Sequence, residues 1–287
     1  MPVFGSPEGE QRFHAAYDAV LEEWPAHREV RRLSTGYGTT VVHVCGPVDG
    51  PPLLLLHAGG STAASWFANV GDLSRHCRVY APDRPGEPGL SEAGPTPINH
   101  RDDWMSWLSI VLDRLRVGRC AVVGHSYGGW MALSFAINSP NRVSHLGLLD
   151  PTSCFKGGRT RYNIRSLPLM VRPSAPRMRS FLSWETHGRP LHPAYLDLLA
   201  SGVQDFPSSR IVFPTRPAPD AMAALDLPVL VVLPTRSRHN HPNRTARSVT
   251  ELMPDATIVP LLGHSHHSVP AESPDQLNSL LVGFLAN

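Results

Sequence analysis

Cys120-Ala121-Val122-Val123-Gly124-His125-Ser126-Tyr127-Gly128-Gly129-Trp130 is the stretch that decides the fold. It starts as a short apolar run, tightens through Gly124-His125-Ser126-Tyr127-Gly128, and continues into an apolar segment with helix-forming residues. A G-x-S-x-G pattern between a strand and a helix holds a serine hydroxyl on a sharp, strained turn where a base can reach it. The flanking residues carry no side chain because the backbone folds back on itself there. The N–H after the serine, that of Tyr127, falls at a helix N-terminus, where negative charge is favoured. Ser126 is therefore the candidate nucleophile and the Tyr127 N–H a candidate oxyanion donor.

Working outward, Leu53–Leu56 is an apolar run followed by His57-Ala58-Gly59-Gly60. Arg78-Val79-Tyr80-Ala81 runs into Pro82-Asp83-Arg84-Pro85-Gly86-Glu87-Pro88-Gly89-Leu90-Ser91. Val143–Leu149 ends in Asp150-Pro151, Pro228–Leu233 is a further apolar run, and Ala256–Leu262 ends in Gly263-His264. Between these runs lie helical patterns over Gln11–Trp24, Ser65–Ser74, His100–Arg116 and Pro274–Leu285. Strands alternating with helices predict an α/β fold with a mostly parallel sheet covered on both faces. Trp66, Trp104 and Trp107 read as core residues.

In this order, the loop after the first run, the D-x-x-G-x-G-x-S-like loop, the nucleophile turn and the late Gly-His resemble the α/β-hydrolase family over the whole chain except a middle insertion. The N-terminal part, with Tyr17, Trp24-Pro25, Thr35-Gly36-Tyr37-Gly38 and Gly86–Ser91, is similar to small bacterial carboxylesterase-type hydrolases. The resemblance implies a core formed by residues 1–150 and 226–287 and a lid inserted at 151–225, where an open α/β sheet binds ligands. It also implies a second oxyanion donor in the His57–Gly60 loop, placed at Gly59, with Ala58 standing where the family has Gly. His57 and Asp83 match family loop positions and read as structural.

A serine needs a base to take its proton, and histidine does this near neutral pH. Among 15 histidines, His264 is the candidate because it follows a strand and a Gly ahead of the final helix; His266 and His267 compete for the role. The third member is a carboxylate that orients the imidazole. In the family it usually follows the strand corresponding to Pro228–Leu233, but Pro234-Thr235-Arg236-Ser237-Arg238-His239-Asn240-His241-Pro242 holds no acid. Asp150, at the end of the strand after the nucleophile helix, is the expected replacement. A two-residue Ser–His site and another acid such as Asp205 are the alternatives.

With 41% hydrophobic and 17% charged residues, 287 residues suit a globular protein with a substantial core. A net charge of +2 gives no argument for nucleic-acid binding. No apolar stretch reaches the roughly 18–20 residues that span a bilayer, and Met1–Glu10 shows no signal-peptide pattern. Cys45, Cys77, Cys120 and Cys154 lack metal-ligand spacing and read as reduced thiols of a cytoplasmic protein. No metal or organic cofactor is expected. His239 and His241, or His264 with its neighbours, lack matched acids or cysteines for zinc.

From Pro151 to Trp184 there is no acid, against Lys156, Arg159, Arg161, Arg165, Arg172, Arg177 and Arg179. Three readings are open for this basic lid: a solvated face in an arginine-rich protein, a surface for an anionic substrate or an acidic carrier protein, and a membrane-surface contact. The expected activity is a serine hydrolase cleaving a small-molecule ester or thioester through an acyl-enzyme. A thioesterase, acyl-transfer or cyclisation enzyme working on carrier-bound acyl groups is one alternative, and a non-catalytic ligand-binding protein is the other.

Overall fold

Apolar runs too short to be helices become the centre of one sheet. The computed structural model describes residues 4–25, 27–206, 212–272 and 274–286. Residues 1–3 of the N-terminal stretch and 207–211 of the inserted segment lie outside them. The strands are β1 (Glu29–Thr35), β2 (Gly38–Cys45), β3 (Pro52–Leu56), β4 (Arg78–Pro82), β5 (Glu92–Ala93), β6 (Cys120–His125), β7 (Val143–Leu149), β8 (Val229–Pro234) and β9 (Thr257–Leu261). Their order is β1-β2-β4-β3-β6-β7-β8-β9, with β5 pairing β2. β2 is antiparallel to β1, β4 and β5, and every other pair is parallel.

Two hydrophobic clusters lie on the two faces, and the strand period of two divides the residues between them. Leu53 and Leu55 point into one cluster, Leu54 and Leu56 into the other; Val123 and Val122, Leu149 and Leu148, and Val232 and Val231 divide the same way. This two-sided burial is why the strands read as continuous apolar runs rather than alternating ones. Helices α1 (Pro7–Leu21), α2 (Phe67–Leu73) and α10 (Pro274–Leu285) cover one face, and α3 (Arg101–Leu115), α4 (Tyr127–Asn138) and α9 (Pro242–Leu252) the other. Trp66, Trp104 and Trp107 are all buried, as expected.

Two elements differ from the sequence expectation. α1 starts at Pro7, because the Ser6 hydroxyl accepts from the Gly9 N–H at 3.1 Å and proline suits a first helical position. The helix expected over Ser65–Ser74 is divided into a 3-10 turn, Ala63–Trp66, and α2.

Between β7 and β8 the chain leaves the sheet for α5 (Thr160–Val171), α6 (Ala175–Glu185), α7 (Pro193–Asp205) and α8 (Pro219–Ala223). α5 and α6 are separated at Arg172-Pro173-Ser174, where proline prevents one long helix. α6 and α7 bury Phe181, Leu182, Tyr195 and Leu198 in the cluster shared with α1 and the sheet, whereas α5 buries no residue fully. Among the described residues no helix is long and apolar enough to cross a membrane. The carboxyl ends of β3, β6, β7, β8 and β9 deliver the loops at 57–60, 126, 150–152, 235–241 and 262–268 to one sheet edge, where open α/β sheets place their sites.

Candidate active site

Ser126 sits between β6 and α4 with φ 56° and ψ −116°, a conformation that costs energy for any residue bearing a Cβ. The turn is held by the Ser126 N–H donating to the Leu149 carbonyl at 3.0 Å and by the Ser126 carbonyl accepting from Thr152 N–H at 3.0 Å. A Cβ on Gly124 would lie 2.1 Å from the Gly128 carbonyl oxygen, and one on Gly128 would lie 2.1 Å from the Leu56 carbonyl oxygen. Both glycines of the motif are therefore required by close backbone approach.

The structure brings Ser126 and Asp150 together, but through His266. His266 Nε2 lies 2.9 Å from Ser126 Oγ, and His266 Nδ1 lies 2.7 Å from Asp150 Oδ2. An ionised carboxylate only accepts, so Nδ1 carries the proton and Nε2 is left to accept from the serine hydroxyl. Burial, reinforced by the neighbouring His267, lowers the His266 pKa to about 3, which keeps the resting imidazole neutral, with Nε2 free to accept.

The expectation of His264 is corrected here. Its carbonyl accepts from the Arg236 N–H at 2.9 Å and its Nδ1 is buried without a partner, but among the described residues its ring makes no hydrogen bond to Ser126 or Asp150. The reason lies in what anchors the loop. Glu185, fully buried at the end of α6, accepts from the N–H groups of His266 (2.9 Å) and His267 (3.1 Å) and from Ser265 Oγ (3.0 Å). It also takes His267 Nδ1 at 3.2 Å. Burial alone would raise the Glu185 pKa; the hydrogen bond and charge of His267 outweigh it and hold the carboxyl well below the usual range. On the other side, His125 Nε2 donates to the His266 carbonyl at 2.9 Å. The backbone of residue 266 is thus pinned from two directions.

Asp150 leaves β7 with φ 40° and is buried. The acid-free loop after β8 supplies its donors: Ser237 Oγ to Oδ2 at 2.7 Å and Asn240 Nδ2 to Oδ1 at 2.8 Å. Burial raises the Asp150 pKa, and His239 and the Ser237 and Asn240 hydrogen bonds oppose that rise. Asp205, the alternative acid, is ion-paired with Arg12. Among the described residues no group of three or more His, Cys, Asp or Glu is placed to hold a metal ion.

The Tyr127 N–H opens α4, and the Gly59 Cα faces the Tyr127 side chain closely enough that a Cβ there would lie 3.4 Å from it. The fully buried Arg84 fixes the Gly59 loop by donating to the His57 and Ala58 carbonyls, both at 2.7 Å, and is itself held by Glu87 at 2.7 and 2.8 Å. These contacts fix the loop backbone, and Glu87 Oε2 also accepts from the Gly60 N–H at 3.4 Å. Asp83 accepts from Tyr17 Oη (2.8 Å), Ala63 N–H (2.7 Å) and Leu90 N–H (2.8 Å), the structural role expected of it.

A second polar chain reaches the serine. Thr152 Oγ1 is 3.0 Å from Ser126 Oγ and 3.0 Å from His239 Nε2. Because Ser126 donates to His266, Thr152 donates to Ser126 and accepts from His239; the buried, unpartnered His239 Nδ1 fits this tautomer. Burial, with His266 nearby, lowers the His239 pKa to about 3. His125, Glu185, Thr152, Ser237, Asn240 and His239 all escape a sequence reading, since their partners lie 26 to 141 residues away. The one local hint was an acid-free loop rich in hydrogen-bonding residues.

Residues 53–280 match the alpha/beta hydrolase family. Carboxylesterase YbfK of Bacillus subtilis (strain 168) is 27% identical over 291 aligned residues, covering 98% of this chain and 96% of the relative. A 2-hydroxy-6-oxo-2,4-heptadienoate hydrolase of Pseudomonas putida is 30% identical over 273 residues, 89% of this chain and 96% of the relative. The crystal structures of carboxylesterase CesB (YbfK) and naproxen esterase, both from Bacillus subtilis, each align with a TM-score of 0.89 at 26% identity. They cover 97% of this chain, and 98% and 99% of those chains respectively. A match running from β3 into α10, on the sheet order and nucleophile turn described above, makes this chain a hydrolase of the alpha/beta hydrolase family.

Proposed function

We propose that the chain is a serine carboxylesterase. The observation that carries this reading is the continuous contact from Ser126 Oγ to His266 Nε2 (2.9 Å) and from His266 Nδ1 to Asp150 Oδ2 (2.7 Å). Ser126 Oγ attacks the ester carbonyl as its proton passes to His266 Nε2, and the negative charge collects on the former carbonyl oxygen. The N–H groups of Tyr127 and Gly59 receive that oxyanion. Collapse breaks the carbon–oxygen bond to the leaving alcohol, which takes the proton from His266. Water then gives a proton to His266 and its oxygen to the acyl carbon, and Ser126 leaves with that proton restored. Asp150 holds the His266 tautomer throughout and stabilises the imidazolium.

The carboxylesterase names of the Bacillus relatives favour an ester over other acyl derivatives. Residues 151–225 serve as the lid in this reading. Thr152 touches the nucleophile, and the Tyr162 ring lies 4.7 Å from that of His239 and 5.9 Å from that of His266.

The test is labelling with a fluorophosphonate, read by intact mass and by the site of the adduct. A rapid adduct on Ser126, abolished in Ser126→Ala and slowed about a thousandfold or more in Asp150→Asn, is the expected result. A folded protein that never labels would end the esterase reading.

A further inference from the structure

The loop after β8 and the inserted segment border an open cavity of about 370 Å³ lined by the exposed Arg161 and Arg236 and the partly buried Arg159 and Arg238, with Trp184 and Ser237 among the other lining residues. None of the lining residues is acidic. Elsewhere the protein gives arginines carboxylate partners: Arg12 with Asp205, Arg78 with Glu29, Arg84 with Glu87, Arg142 with Asp113 and Arg179 with Asp197. Among the described residues none of the four cavity arginines has an ion pair, and Arg161 and Arg236 make no side-chain hydrogen bond. Arg159 Nε donates to the Asn240 carbonyl at 3.2 Å, a neutral partner.

Arg238, partly exposed, is set in place by its neighbours. Its guanidinium stacks 4.7 Å from the Trp184 ring centroid, and its Nη2 donates to His187 Nδ1 at 3.1 Å. Its Nε lies 3.2 Å from His187 Nε2, which is also 3.0 Å from the Arg236 carbonyl, so both ring nitrogens of His187 face the guanidinium. Burial lowers the Arg238 pKa, as do the charges of Arg161, Arg159 and Arg236, while Glu185 opposes them. Glu185 does not discharge the cluster, since Ser265, His266 and His267 already engage its oxygens. Four like charges around one concavity, one of them fixed by stacking, form a site whose missing partner is a multiply charged oxyanion. A phosphate offers the oxygens and the charge that several guanidinium forks match at once.

We propose that this cavity binds a phosphate group. The site adjoins the catalytic acid: Ser237, which lines it, donates to Asp150 Oδ2 at 2.7 Å. The binding itself stands without the esterase reading; assigning the phosphate to an ester substrate rests on it.

Calorimetric titration of the intact protein with inorganic phosphate and with pyrophosphate, against acetate at equal ionic strength, tests the site. Saturable phosphate and pyrophosphate binding is expected. The Arg161→Gln/Arg238→Gln double variant should weaken it at least tenfold, and Arg172→Gln/Arg177→Gln, on the same basic segment outside the cavity, should leave it unchanged. Unaltered circular dichroism and Ser126 labelling show that the double variant is folded. Absence of saturable binding, or equal losses in both double variants, would overturn the proposal, the latter by reducing it to a diffuse positive field. Two esters sharing one acyl group, one with a phosphate on the alcohol, separate the sources. Preference for the phosphorylated ester that falls tenfold in Arg161→Gln/Arg238→Gln places the phosphate on the substrate. Equal use of both esters with pyrophosphate still bound makes it a free ion. Phosphate binding without Ser126 labelling would remove the esterase reading alone, and labelling without binding would remove this site alone.

Discussion

The turn carrying Ser126 and the loop carrying His266 meet at 2.9 Å, yet they are specified in opposite ways. The turn is marked by its own residues: glycines at 124 and 128 admit backbone oxygens, of Gly128 and of Leu56 in β3, at 2.1 Å from where a Cβ would stand. The histidine loop, Gly263-His264-Ser265-His266-His267-Ser268, presents three imidazoles within four residues, and nothing local selects among them. The choice is made by Glu185, 80 to 82 residues away, by Asp150 at 116 and by His125 at 141. The turn leaves a local mark because close backbone approach, even to a distant strand, demands glycine at fixed positions, whereas the choice of histidine is made by side-chain contacts that leave no such mark in a short motif.

The sharpest way to break this contrast is to exchange the two histidines' fates. His266→Ala should lower kcat for a simple ester by about 10⁴-fold or more, since members of such a unit fail together. His264→Ala should stay within about fivefold. The reverse pattern in steady-state kinetics would mean that the Gly-His position is the base after all and that the loop rearranges around it.

The same division explains what could be read in advance. The sheet, its two-faced core, the nucleophile turn and the helix after it followed from apolar runs and glycine spacing, because each depends on short-range periodicity. Asp150 as the proposed acid was suggested by the acid-free loop at 234–242 together with the family resemblance, with a Ser–His pair and Asp205 left open beside it. That the acid-free loop would donate Ser237 and Asn240 to Asp150 was not, because hydrogen-bond partnership across 87 and 90 residues leaves no local pattern. Glu185 was hidden for a further reason: it ends a helix of the inserted segment, and a lone glutamate there reads as solvated surface.

Glu185→Gln tests whether that buried carboxylate sets the register of the histidine loop. Replacing it leaves backbone donors in the interior poorly matched, at a cost of about 3 kcal/mol in global stability, and kcat should fall by about tenfold to a hundredfold. The pH dependence carries the sign. Because the folded pKa of Glu185 lies below its ordinary 4.5, its ionic stabilisation is complete above that value and is lost as pH falls below it. The gap in denaturation midpoint between native protein and variant should therefore close on acidification below pH 4.5. A gap independent of pH, with unchanged kcat, would show that the loop holds itself.

Ser237→Ala probes the acid from the β8 side. In the native protein the acid limb of kcat/KM should lie below the ordinary histidine value of 6.5, displaced toward 3 by the burial of His266, with activity lost as pH falls through that limb. Removing the Ser237 donor leaves the Asp150 carboxylate less stabilised, so its pKa rises further and kcat drops about tenfold. An unchanged rate and profile would mean that Asn240 alone suffices to hold the acid.

Thr152→Val should have the smallest effect and probes the second polar chain to the nucleophile. The threonine hydroxyl donates to Ser126 Oγ in the resting protein, where it holds the serine rotamer toward His266. One neutral hydrogen bond is worth about 1 kcal/mol, so the loss should not exceed about fivefold and should appear in kcat rather than KM. As Oγ becomes an ester oxygen during attack it accepts more weakly, which lowers the worth of this contact beyond the ground state. A hundredfold loss on Thr152→Val, reproduced by His239→Ala, would place the threonine in the transition state. The serine would then be served from both the β9 loop and the β8 loop rather than from one alone.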